Sequence, residues 1–290
     1  MGLTTVVATP KLLIFDIDNT LFDWLPYYAY SNKALLDKLE EISFVPYGVL
    51  KREFKQLLGH YGKRRPSFIV HELASVRKKM PQLDPLFLNE ICTSICLDAK
   101  KNALNPYPEV HATLALIKKR FPDLRIAALT DSPAIEAVWK LTMLEIEGFF
   151  DSVYGLNVFP LVATAQIASL QSSAWRRYRG ETHALPARYE KPSTKGLNLI
   201  IQHYGIADHE RDTVVFVGDN LRKDVALGKK AGVFTCWSEF SCGEHSPALQ
   251  RTLSLSPREK IIQNTPTAED LRTRPDASLH SFSDLLDYLG

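Results

Sequence analysis

The chain repeats one short pattern four times: an apolar run of strand length that stops in polar residues. These runs are KLLIFD at 11–16, RIAALTDS at 125–132, TVVFVGDN at 213–220 and VFTCWSE at 233–239. An apolar run without polar alternation is expected where a strand is covered on both faces, as in a parallel sheet. Helical patterns fill the gaps, at 108–121, 133–144, 193–204 and 221–232, the last stopped by Gly232. This alternation predicts a doubly wound, parallel α/β sheet. In such a sheet the carboxyl ends of the strands share a crevice, so the polar residues that end the runs are predicted to converge on one site.

Residues 24–104 break the alternation. They read as consecutive amphipathic helices near 27–42, 48–60, 66–79 and 85–100, an all-helical block inserted after the first strand. The predicted organisation is therefore a core of residues 1–23 and 105–290, interrupted by a helical cap at 24–104. Two insertions within the core lie near 155–188 and 240–275, and the segment SFSDLLDYL is read as a closing helix. Charge follows the same division. The whole chain carries a formal net charge of +2. Residues 51–79 hold nine Lys or Arg (Lys51, Arg52, Lys55, Lys63, Arg64, Arg65, Arg77, Lys78, Lys79) against Glu53 and Glu72, a local +7 that leaves −5 elsewhere. A basic helical surface of this kind is either solvated or attracts a phosphorylated substrate. It lacks the interleaved aromatic platform of a nucleic-acid patch, so no nucleic-acid partner is expected.

Four polar pieces stand at the strand ends or just beyond: Asp16-Ile17-Asp18-Asn19-Thr20, Thr130-Asp131-Ser132, Lys191-Pro192 and Gly218-Asp219-Asn220-Leu221-Arg222-Lys223-Asp224. Each piece alone is common turn or helix-cap chemistry, because Asp favours those positions. In this order they resemble the four motifs of the haloacid dehalogenase superfamily of phosphohydrolases, and residues 24–104 resemble that family's C1-type helical cap. The D-x-D-x-T run followed by L-F-D, and the later G-D-x-x-x-x-D, carry most of the resemblance.

The resemblance implies a Rossmann-like core and a magnesium-dependent phosphatase acting on a small phosphorylated metabolite. It implies Asp16 as the nucleophile that forms an aspartyl-phosphate, and Asp18 as the acid and base. An aspartic acid at pH 7 is protonated in only about one molecule per thousand, so an acid form costs roughly 4 kcal/mol unless its surroundings help. Thr130 and Asp131 would stand at the phosphate, and Lys191 would neutralise transferred charge, with Lys195 its nearest competitor for that place. Asp16, the Asp18 backbone carbonyl, Asp219 and Asp224 supply the hard oxygen donors that suit Mg2+. A phosphomutase uses both aspartates equally well. A phosphorylation-switched, receiver-like binding module shares the strand-end Asp, the Thr and the Lys, but neither Asp18 nor a cap is expected in it.

Other readings concern what surrounds the site. Trp24, Tyr27 and Tyr28 line the cap entrance or belong to its core. His183, Arg176, Arg177, Arg179 and Arg188 either decorate the site entrance or sit in water. Cys92, Cys96, Cys236 and Cys242 lack paired spacing and are expected as buried free thiols. Residues 152–175 carry no charge, but Asn157, Pro160, Gln166 and Gln171 interrupt them, so a buried strand and packing segment are expected and no membrane span. No secretory signal pattern opens the sequence, which points to the cytoplasm. No feature specifies an oligomeric state.

Overall fold

The computed structural model describes residues 6–7, 9–61, 70–157, 176–242, 246–253 and 266–290. Among them, seven parallel strands form one sheet: β1 (Leu12–Phe15), β2 (Arg125–Pro133), β3 (Ser152–Leu156), β4 (Glu181–Leu185), β5 (Val214–Gly218), β6 (Phe234–Trp237) and β7 (Ala277–Ser278). Their spatial order is β4-β3-β2-β1-β5-β6-β7. The first strand is therefore central, paired with β2 on one side and β5 on the other. All four of its residues are fully buried, which explains its unbroken apolar run. Leu13 and Phe15 face one core with Ile126, Ala128, Val215 and Val217. Leu12 and Ile14 face the other with Ala127, Ile200, Val214 and Leu227. Each such side chain contributes about 1.5–3 kcal/mol through burial.

Among the described residues, helices α5 (Val110–Arg120), α6 (Ala134–Met143), α7 (Lys195–His203), α8 (Ala226–Ala231) and α9 (Pro247–Leu253) cover the two faces or connect the strands, following the block of α1 (Trp24–Ser43), α2 (Tyr47–Tyr61), α3 (Ala74–Lys79) and α4 (Pro85–Ala103). Inside the block, α1 starts where the Asp23 carboxylate accepts a hydrogen bond from the Leu25 N–H at 3.0 Å, and α4 starts with Asp84 accepting from Leu86 N–H. Phe44 ends α1 in the left-handed region, φ 55°, and its N–H reaches the Glu40 carbonyl. The block has its own apolar centre, with Leu35, Leu36 and Leu39 against Phe54, Leu88 and Cys92. The chain leaves the sheet at Phe22 and returns at Pro106, and these two residues form an antiparallel bridge beside the hydrogen bond from Tyr107 N–H to the Leu21 carbonyl, 3.0 Å.

Several sequence expectations change in detail. The helix expected over 66–79 is a 3₁₀ turn at Val70–Glu72 followed by α3, while 66–69 lie outside the described residues, as do Lys63, Arg64 and Arg65 of the basic run. The closing helix is 3₁₀, at Phe282–Tyr288, started by Ser281 and Asp284 bonding to each other and to the backbone. The 240–275 excursion contains α9, whose Leu249 packs against Leu25 and Ala29 of α1. Ser152–Leu156 is the buried strand expected there, whereas 158–175 lie outside the described residues. The four cysteines are free thiols, and all but Cys242 are buried. Tyr27 is core rather than exposed lining, and its hydroxyl donates to Glu136 at 2.7 Å. No helix among the described residues is long and apolar enough to cross a membrane.

Candidate active site

The central strand hands its first acid directly to the carboxyl edge. Asp16 N–H donates to the Val217 carbonyl at 2.9 Å, extending the β1–β5 ladder by one residue before the chain turns away. The Ile17 carbonyl then accepts from Thr20 and Leu21, Asn19 takes a left-handed conformation at φ 59°, and its side chain accepts from Trp24 N–H. This tight turn fixes Asp18 two residues beyond Asp16. Neighbouring β5 delivers Asp219 in the same way, with Trp237 Nε1 donating to the Asp219 carbonyl at 2.8 Å.

Asp224 arrives through a π-helical turn at Leu221–Val225, whose start is capped by the Asn220 side chain. Its Oδ2 accepts from Asn220 N–H at 3.0 Å. Gly218 is required here: a Cβ at this position would lie 2.4 Å from the Asp224 Cβ and 2.5 Å from its Cγ. The strand end and the acid thus occupy space that no other residue type leaves open.

Lys191 completes the cluster. Its Nζ lies 2.8 Å from Asp16 Oδ1 and 2.6 Å from Asp224 Oδ1. Asp131 holds the lysine's backbone, accepting from Lys191 N–H at 2.9 Å, while its other oxygen pairs with Lys223 Nζ at 2.6 Å. Both oxygens of Asp131 are therefore engaged, one by the Lys191 backbone and the other by the Lys223 side chain. Lys195, the competing lysine, is exposed at the start of α7. Thr130 is buried at the end of the β2 ladder, and its hydroxyl accepts from Ser132 N–H at 3.1 Å.

The ligand oxygens of Asp16, Asp219 and Asp224 lie within 4.8 Å of one another, and all three residues are buried. Burial pushes Asp16 up to about 7, with Asp224 and Asp18 adding to the rise and Lys191 opposing it. Burial likewise holds Asp219 well above the ordinary carboxylate range, reinforced by Asp224 and Asp16. Burial alone would lower Lys191, but Asp16, Asp224 and Asp131 outweigh it and hold the ammonium far above its usual value. Asp131 goes the other way: burial opposes its ionisation, yet Lys191 and Lys223 keep its pKa below the ordinary range. Three buried carboxylates against one ammonium leave a deficit of positive charge, and the hard oxygen donors fit a small divalent cation.

Two residues at the site escaped the sequence reading. Asp18 Oδ1 lies 2.6 Å from Lys140 Nζ, and Ser132 Oγ donates to Asp18 Oδ2 at 2.7 Å. Lys140 also donates to Ser132 at 2.9 Å. The lysine side chain is 1% exposed, on α6, with its ammonium 5.4 Å from the Tyr27 ring centre. Its signal in the sequence is a single charge inside VWKLTM, on an otherwise apolar stretch. Ser132 lies within the Thr130-Asp131-Ser132 piece, but nothing in the sequence assigns it a partner. His183, considered for the entrance, pairs in register with Tyr154 in the middle of β3 and does not join this cluster.

A family model for haloacid dehalogenase-like hydrolases matches residues 10–232. A glyceraldehyde 3-phosphate phosphatase of Methanocaldococcus jannaschii is 24% identical over 232 residues, covering 78% of this chain and 83% of the relative. A protein of the same description from Methanopyrus kandleri is 23% identical over 228 residues, covering 78% and 82%. Among solved structures, the fold is similar to a 2-haloacid dehalogenase from Pseudomonas syringae pv. tomato, with TM-score 0.58, 18% identity and coverage of 97% and 98%. It is also similar to an HAD phosphatase from Thermococcus onnurineus, with TM-score 0.55, 19% identity and the same coverage.

Proposed function

We propose that this chain, which belongs to the haloacid dehalogenase-like hydrolases, is a magnesium-dependent phosphatase that hydrolyses a small phosphorylated metabolite through Asp16. The observation that carries the reading is the buried set of Asp16, Asp219, Asp224 and Lys191 at the carboxyl edge of the central strands. Asp16 is the nucleophile: a carboxylate oxygen bonds to phosphorus as the bond from phosphorus to the leaving oxygen breaks, giving an aspartyl-phosphate. Asp18 gives its proton to the leaving oxygen and later removes one from the water that attacks phosphorus, as the bond from phosphorus to the Asp16 oxygen breaks and frees the carboxylate and inorganic phosphate. Lys140 and Ser132 hold that carboxyl group by both oxygens, which fixes the direction of proton transfer. Lys191 offsets charge at the transferring phosphoryl group, and Thr130 supplies a hydroxyl to one of its oxygens.

Asp16, the Asp18 carbonyl, Asp219 and Asp224 would hold magnesium, which when bound would supply positive charge to offset the repulsion between these buried carboxylates and a phosphate dianion. The helices of residues 24–104 serve as the cap over this edge and exclude water from the reacting groups beneath them. The lysine between Asp16 and Asp224 is the motif lysine, and Asp131 acts by anchoring it.

The two curated relatives, both named for glyceraldehyde 3-phosphate, place short phosphorylated carbonyl compounds and sugars first in any substrate panel. The test is phosphate release across such a panel with magnesium, alongside an assay for phosphosugar isomerisation. Release from at least one compound, lost in Asp16→Asn, is expected. Isomerisation without release indicates a mutase, and silence in both assays refutes the proposal.

A further inference from the structure

We propose a second metal site, for a zinc-class divalent ion, formed by Glu181, His183 and His203 on the edge of the sheet. Glu181 and His183 stand two residues apart on β4 and so project from the same face, while His203 is the last residue of α7. Glu181 Oε2 lies 3.1 Å from His183 Nε2 and 3.4 Å from His203 Nε2, and the three donor atoms all fall within 4.8 Å of one another. Tetrahedral zinc with bonds of about 2.0–2.1 Å sets its ligands about 3.3 Å apart, so these separations match a shared ion with little rearrangement.

The rings are already oriented. His183 stacks on buried Tyr154 with centroids 4.3 Å apart and planes at 10°, and His203 meets both rings edge-on, at 77° to His183 and 87° to Tyr154. Orientation by packing is what a metal ligand needs to bind without an ordering cost. The two imidazoles are borderline nitrogen donors that select zinc over magnesium, the carboxylate is a ligand zinc also accepts, and the partial exposure of both rings leaves the fourth position to water. The site is separate from the carboxylate cluster. β4 lies three strands from β1, about 14 Å across the sheet at the usual strand spacing. Bound there, the ion ties the edge strand to the helix that follows the Lys191 loop, a structural clamp rather than a participant in phosphoryl transfer.

The test is zinc titration of the chelator-stripped full chain, followed by calorimetry in a large excess of magnesium that occupies the carboxylate cluster. One zinc per chain is expected, together with a rise in melting temperature and, with cobalt in place of zinc, the intense visible bands of a four-coordinate ion. His203→Ala and His203→Gln should each weaken binding by more than the roughly 10–100-fold that loss of a ligand's hydrogen-bonding partner costs. Asp219→Asn should leave it unchanged. Absence of stoichiometric zinc in the native chain, or binding in both His203 variants as tight as in the native chain, would overturn the proposal and reduce the cluster to an ordinary ion pair.

Discussion

Replacing Asp16 with asparagine should abolish turnover and at the same time make the metal-free protein more stable at neutral pH. Asparagine is nearly isosteric with the protonated acid, so the substitution removes the charge and little else. The folded protein raises the Asp16 pKa from 3.8 to about 7. A carboxyl group raised in this way binds its proton more tightly when folded, so stability falls as pH climbs from about 4 through 7. Each unit of difference is 1.36 kcal/mol, which puts the cost of ionising Asp16 near 4 kcal/mol at pH 8 and under about 2 kcal/mol at pH 5. Urea unfolding in the presence of a chelator, at both pH values, measures this. Asp16→Asn should gain on the native sequence by about 2–3 kcal/mol more at pH 8 than at pH 5, and magnesium should shrink the difference by stabilising the native sequence preferentially. A variant that is inactive but has an identical pH profile of stability would show that burial does not oppose the charge, and the electrostatic account of the site would fail.

Lys191→Met leaves Asp16 and Asp224 buried without their ammonium. It should cost about 3–5 kcal/mol at neutral pH, less in acid where the carboxyl groups are protonated, and should eliminate turnover; urea titrations at the two pH values check this. Gly218→Ala forces a methyl group into the space of the Asp224 Cβ and Cγ. It should cost about 1–3 kcal/mol and raise the magnesium concentration needed for half-maximal activity, so unchanged magnesium dependence would argue against Asp224 as a ligand. Lys140→Met removes one anchor of Asp18, whose side chain is 23% exposed and can recruit water. A stability loss of about 1–3 kcal/mol is expected, with kcat reduced by roughly tenfold or more and KM little changed.

The sequence carried the sheet and the acids because both obey short-range rules. Strands β1, β2, β5 and β6 are buried on both faces, and burial on both faces is what an unbroken apolar run encodes. By contrast β4, ETHAL, is a partly exposed edge whose signal is neither continuous nor cleanly alternating, and β7 has only two residues. Neither offers enough length for a pattern. At the site, Asp16 and Asp219 stood out at the ends of apolar runs, and the order of the four polar pieces, through the family it resembles, pointed to Asp224 as well. The partnership of Asp18 with Lys140 was not legible, since the two are 122 positions apart and only the packing of α6 against β2 and β3 brings them together. The same holds for Asp131, whose charge was visible but whose partners, Lys191 and Lys223, come from two other segments.

The stem at Phe22 and Pro106 has a consequence for how such a chain can change. Because the outgoing and returning strands touch, the core experiences everything between them as one closed loop anchored at a fixed gap. Closing a flexible loop twice as long costs only about 0.6 kcal/mol more, and a block with its own apolar centre recovers that cost internally. Length and shape beyond the stem are thus nearly free to drift while the carboxylate cluster stays in register. The carboxylate edge behaves as a socket, and what is plugged into it can be exchanged without rewiring the sheet.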